Sequence, residues 1–212
     1  IQRDALLFLA KRNCMNPRLA MRVGTLLAVI VLTLIALDRW RAEQEATQPM
    51  SWKPDYQNSL WLPQREGSLT LGDVVRVLGE GTLWMISADG EPRLVTRHGL
   101  EAERQSWQVQ ASIELDEEQT ASLVRAQAWY AGMPDQPVSA EVGRALAHYP
   151  VARLSLIPEQ PLKPVRIIAT FGQPDWQMPV EQGEAWIYAR EGVVVAVGEE
   201  QAHSIMFGLR AE

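Results

Sequence analysis

The chain has 212 residues, enough for one medium domain or two small ones. Its 47% hydrophobic and 22% charged content excludes wholesale disorder. Net charge is −6 and unevenly spread: before Val23 five bases (Arg3, Lys11, Arg12, Arg18, Arg22) face one acid (Asp4), which leaves +4 there and −10 in the remainder, excluding an electrostatic footprint for nucleic acid.

Residues 1–14, IQRDALLFLAKRNC, set Ala5, Leu6, Leu9 and Ala10 on one helical face. They read either as a short interfacial helix or as sequence upstream of a start at Met15, and both readings stand. Val23 to Leu37 is an uncharged apolar run covering about 22 Å, short of the ~30 Å hydrocarbon core of a bilayer. Leu19, Ala20 and Met21 extend it, and Arg22 can reach back to the headgroups along its own alkyl stem. Trp40, between Arg39 and Arg41, stands where an interfacial tryptophan belongs. No small-x-small cleavage site directly follows the run, and the sole cysteine, Cys14, precedes it, so a lipoprotein signal does not fit. Residues 19–40 are therefore expected to be an uncleaved anchor, with Arg18, Arg22, Arg39 and Trp40 at the membrane interfaces. The basic flank, residues 1–18, is expected in the cytoplasm and the acidic remainder in the periplasm.

Residues 41–67 carry Pro49 and Pro54 and no sustained period, the pattern of a linker. Trp52, Tyr56 and Trp61 interrupt its polarity; they either pack back on the domain or contact a partner.

Residues 68–212 read as an α+β domain, or as two small subdomains, 68–160 and 161–212. Leu71, Val74, Val75 and Leu78 form one helical stripe, with Thr70 and Asp73 as a capping box and Gly79 as its stop. Asp89-Gly90 joins two apolar stretches as a hairpin turn. SWQVQASIEL alternates as a strand, with Trp107, Val109, Ala111, Ile113 and Leu115 inward. A helix capped by Asp116 and ending at Gly132 follows, then a proline loop, a helix from Ser139 to Tyr149, and the strand VARLSLI. LKPVRIIATFGQP fits a strand by alternation and a helix by Val165, Ile168 and Ala169; its β-branched content favours the strand. EAWIYAR, VVVAV and HSIMF close the chain as short strands. This order predicts an antiparallel sheet with helices on one face.

The three histidines, His98, His148 and His203, are far apart, and the sequence holds no H-E-x-x-H, G-x-S-x-G, P-loop or C-x-x-C. The residues point to no catalytic site, metal, cofactor or small-molecule substrate; a basic end, one span and an acidic α+β domain make the layout of a structural or assembly factor of the bacterial envelope.

Met15 to Phe171, with its MNPRL lead, single span, WQVQASIELDEEQTASLV, VARLSLI and VRIIATF, resembles the M-type inner-membrane components of type II secretion systems and their pilus-assembly relatives. That resemblance implies a periplasmic ferredoxin-like domain that dimerises or docks on other bitopic envelope proteins. The chain departs from the pattern in having a proline-broken linker where the family has a coiled coil. Leu162 to Phe207 is similar to the SmpA/OmlA-type fold of small outer-membrane assembly lipoproteins, where a helix ends in a G-x-P turn and W-x-Y strands follow; the counterparts are Gly172, Pro174, Trp186 and Tyr188. VVRVLGEGTLW is a fainter echo of the same pattern. Both resemblances imply a non-enzymatic role through protein contacts in the bacterial envelope, as a secretion or pilus platform component first and an envelope-assembly factor second, with an enzyme whose site the sequence does not display a distant third.

Overall fold

The computed structural model describes residues 17–45, 47–88 and 90–209. The expectations placed on residues 1–14 and on Met15 lie outside them. The chain forms two units, residues 1–45 and 46–212.

The first unit is helix α1 (Pro17–Glu45), 29 residues long. Within it Met21–Arg41 is long and apolar enough to cross a membrane, and none of its side chains is buried in the protein. Thr25 and Thr33 donate their hydroxyls to the Met21 and Val29 carbonyls (2.9 and 2.8 Å), so neither presents an unpaired polar group.

The second unit begins with a helical run where an irregular linker was expected. α2 (Lys53–Tyr56) passes through a π turn (Gln57–Trp61) into α3 (Leu62–Arg65). Pro54 and Pro63 both fall in the first positions of their helical pieces, where the missing N–H does least harm. The wide π turn lets two consecutive residues, Leu60 and Trp61, face the core.

Next come α4 (Leu71–Leu78), β1 (Thr82–Ala88), β2 (Glu91–Ala102), β3 (Gln105–Ile113), α5 (Glu117–Gln127), β4 (Gln136–Val138), α6 (Ala140–Ala145), β5 (Val151–Pro158), α7 (Pro164–Phe171), β6 (Trp176–Val180), β7 (Gly183–Tyr188), β8 (Val193–Gly198) and β9 (Gln201–Phe207). The fold is α+β, a single antiparallel sheet in the order β4-β1-β2-β3-β5-β9-β8-β7-β6. Residues 68–160 and 161–212 thus share one sheet, joined where β5 pairs with β9.

The Thr70–Asp73 capping box forms as read, and Asp116 caps its helix in a second box, with Gln119. Thr70 Oγ1 accepts from the Asp73 N–H and Asp116 from that of Gln119, while the side chains of Asp73 and Gln119 accept from the N–H of each cap. Three expectations are corrected. Residues 164–171 are helix: Pro164 opens it in the first turn, Ile167 is buried, and Gly172 (φ 84) stops it, which outweighs the β-branched content. α5 ends at Gln127, five residues before Gly132, because Ala128 already takes the left-handed conformation. α6 ends at Ala145, before Tyr149.

The two halves of the sheet repeat one plan. α4 leads into the meander β1-β2-β3, next to which β5 lies; α7 leads into the meander β6-β7-β8, next to which β9 lies. Both helices have eight residues, and both end at a glycine of φ 84 whose N–H donates at 2.8 Å to the carbonyl four residues back, Val75 for Gly79 and Ile168 for Gly172. The echo of FGQPDW in LGEGTLW is thus a repeat of local structure. The halves differ at their outer edges. β4 pairs with β1, Val138 opposite Leu83 and Gln136 opposite Met85, whereas β6 has no outer neighbour among the described residues.

Helices and sheet share one side. One core gathers Leu60, Trp61 and Val74 with Val109, Leu154, Val195 and Ile205; a second gathers Leu71, Leu83, Met85 and Ile113 with side chains of α5 and α6 packed against them. All these strand residues project from the same face, here called inner, by the register of the ladders. Neither core contains an outer-face residue.

Candidate functional site, an apolar sheet face with an open edge

The residues expected at the membrane interfaces are placed by α1. Arg22, Arg39 and Trp40 are exposed on it, Trp40 at 56%. Arg22 and Trp40 are about 27 Å apart along the axis at 1.5 Å per residue, close to the ~30 Å hydrocarbon thickness. Arg18 lies in the helix, but its side chain is outside the described residues.

The aromatic residues considered for partner contact pack back on the domain. Trp52 and Trp61 are 4% and 5% exposed and Tyr56 is half-buried, so the two tryptophans do not form a contact surface. Trp52 meets Trp107 edge-on at 5.1 Å, and the Trp61 Nε1 donates to the Lys53 carbonyl (3.2 Å). Trp186 and Tyr188 are also buried, on the inner face of β7.

The histidines are separate in space as in sequence. His98 is buried on β2, its Nδ1 2.9 Å from the Gly79 carbonyl and its Nε2 3.0 Å from Thr96 Oγ1. A carbonyl can only accept, so Nδ1 carries the proton of the neutral ring and Nε2 accepts from Thr96. Desolvation holds its pKa below the ordinary histidine range. His148 and His203 are exposed, the latter bonded to the Gly198 carbonyl through Nε2 (3.0 Å). Among the described residues no group of three or more His, Cys, Asp or Glu could hold a metal ion.

The surface that stands out is the outer face of the second half of the sheet. The register aligns Trp176, Ile187, Val194 and Met206 in one row across β6, β7, β8 and β9, and Met178, Ala185, Ala196 and Ser204 in the next. Val180 extends the patch at β6. No charged residue occupies either row, because each strand puts its polar alternates elsewhere or has none. Exposure concentrates at the edge: Trp176, Met178 and Val180 are 59%, 53% and 53% exposed, while the inner strands' side chains half-cover one another. An uncharged apolar face on this scale is unusual on a surface that meets only water.

The first half of the same face is different. Arg93, Arg97 and Arg153 project from it. Arg97 lies over the Trp84 ring (4.7 Å) and pairs with Asp135 at 2.6 Å, so the segment leading into β4 closes this half. A shallow depression of about 580 Å³ opens around Gly99 between Arg97, Gln108, Ile157 and Glu159, where the polar and apolar halves meet.

The turns beyond Val180 are acidic. The β6–β7 turn contributes Glu181 and the β8–β9 turn Glu199 and Glu200, all exposed, while Glu184 begins β7 on the inner face, its carboxylate accepting from Trp186 Nε1 (2.8 Å). The turns adjoin: a Cβ on Gly198 would sit 2.6 Å from the Gln182 carbonyl, so only glycine allows this approach.

Sequence reading missed Trp176, Met178 and Val180 as a set. The signal was present as W-x-M-x-V, apolar at every second residue, and Pro179 within it marks an edge strand. Compared with protein-family models, with curated proteins and with solved structures, the chain has no match.

Proposed function

We propose that this chain is a single-span structural component of the bacterial inner membrane, its amino end cytoplasmic and its α+β domain periplasmic, and that it works through protein contacts within a secretion or pilus platform. The observation that carries this reading is the uncharged outer face of β6 to β9, an unpartnered layer of a two-layer fold, in a chain that also holds a helix long enough to cross a membrane. Dispersed histidines support contact rather than turnover as the task of the domain.

A second reading, an envelope-assembly factor, is favoured by one observation: α7 runs through Gly172 and Pro174 straight into the β6-β7-β8 meander, the order that the SmpA/OmlA resemblance implies.

The test is photo-crosslinking in cells, with a photoreactive residue at Val194 in the full-length chain. The expected result is a discrete protein adduct in the inner-membrane fraction that survives alkaline extraction. Secretion or pilus components in the adduct support the first reading, and outer-membrane biogenesis components the second. An adduct-free Val194, or a chain released by alkali, overturns the proposal.

A further inference from the structure

Resting on the protein-contact reading, we infer that β6 is a receptor for a tenth strand: an extended segment of another protein, apolar at alternate residues and carrying lysine or arginine just past the Val180 end.

The internal repeat supplies the first argument. In the first half of the sheet the outer edge does not end at β1; β4 lies antiparallel against it, centred on Trp84 opposite Pro137. The second half repeats helix, glycine stop and meander, yet no strand among the described residues takes the equivalent place beside β6.

The state of the two edges supplies the second. β4 has three residues, one a proline and one buried, the usual way of blunting an edge. β6 has five residues, no charge, and exposure along its whole length. A strand laid beside it would cover Trp176, Met178 and Val180 with its own alternate side chains and extend the row of Ile187, Val194 and Met206.

Charge selects the occupant. The Val180 end opens onto Glu181, Glu199 and Glu200, so a basic flank is attracted and an acidic one repelled. The same charges disfavour a second copy of this chain. Antiparallel pairing of β6 with itself, Trp176 opposite Val180, sets Asp175 of each copy against Glu181 of the other. It also doubles the loss of the donor that Pro179 lacks.

The experiment uses the full-length chain in lipid nanodiscs and two synthetic peptides of alternating valine and threonine, one ending in two lysines and one in two glutamates. The lysine peptide is expected to bind at least about tenfold more tightly than the glutamate peptide. It should slow hydrogen exchange along β6, and lose that affinity in M178K. Because Met178 is exposed, M178K should melt with the wild type. Equal binding of both peptides, binding of neither, or binding that M178K leaves intact overturns the inference. So does a dimer of the chain that M178K dissolves, since the occupant is then a second copy. Adducts from Val194 alongside a failed β6 test would refute the tenth strand while leaving the protein-contact reading standing; absence of adducts sinks both.

Discussion

Trp61 lies flat on Phe207, ring centroids 4.1 Å apart and planes within 9° of parallel. The pair ties the helical run at the start of the domain to β9, and Phe171 of α7 meets Phe207 from another side at 6.4 Å.

Removing the tryptophan should therefore act on the whole domain. Trp61→Ala empties a site that is 5% exposed and is expected to cost about 3–5 kcal/mol. Trp61→Phe, which keeps a ring on Phe207, should cost less. Urea unfolding followed by far-UV circular dichroism checks both, and equal losses would show that stacking contributes nothing.

Thr70 and Asp73 form a reciprocal cap, with Thr70 Oγ1 donating to Asp73 Oδ2 at 2.6 Å. The Thr70 hydroxyl, first, and its N–H hold the Asp73 carboxyl below the usual aspartate value of 3.8. A carboxylate favoured in the folded state stabilises above its unfolded pKa and loses that contribution as pH falls through the folded one. Thr70→Ala should cost about 1 kcal/mol at neutral pH. Titration by NMR should find Asp73 moved upward in the variant, and an unmoved Asp73 would remove the hydroxyl from the explanation.

His98 carries the same sign from a different cause. Burial lowers its pKa from 6.5, so below that pH the unfolded chain takes up a proton that the folded chain resists. Stability should fall as pH drops through 6.5 and level off once the folded ring also titrates. Gln in place of His98, which can still serve the Gly79 carbonyl, should flatten that segment of the melting-temperature profile. A profile as steep in His98→Gln as in the wild type would assign the loss elsewhere.

Tyr188 governs the alkaline side. Its hydroxyl is buried without a hydrogen-bond partner among the described residues, and desolvation pushes its pKa up to about 12. The unfolded chain ionises near pH 10 while the folded one holds its proton, so stability declines between pH 10 and 12. Tyr188→Phe removes an unsatisfied hydroxyl and is expected to be neutral or stabilising by about 1 kcal/mol at pH 7. It should also weaken the alkaline decline, and a variant at least about 2 kcal/mol less stable would reveal a bond that the phenol does make.

Much of the architecture was legible because local chemistry was unambiguous. Asp89-Gly90 announced the β1–β2 hairpin, the alternation of Trp107, Val109, Ala111 and Ile113 announced β3, and Thr70 and Asp116 announced their helices. The β2–β3 turn escaped because it sits on Glu103 and Arg104, two non-glycine residues at φ 53 and 61 whose sequence carries no turn signal. Residues 53–65 looked like a linker because their prolines suggest breaks; a proline at a helix start is no obstacle, but sequence alone does not tell a start from an interior. The apolar outer face was illegible for a different reason. Trp176, Ile187, Val194 and Met206 belong to four strands, and only the register brings them into one row.

The repeat has one more consequence. The halves are sewn together by a short ladder, Leu154 to Phe207, Ser155 to Met206 and Leu156 to Ile205, with a further bridge from Leu162 to Ala202. Residues 159–163 connect them in the chain. Two copies at high concentration could trade second halves across that ladder without losing a single kind of contact, the β9 of each closing on the β5 of the other. The exchange would present as a slowly formed, slowly dissociating dimer whose population tracks the concentration at refolding, and stiffening residues 159–163 would change its yield while leaving the melting temperature of the monomer in place.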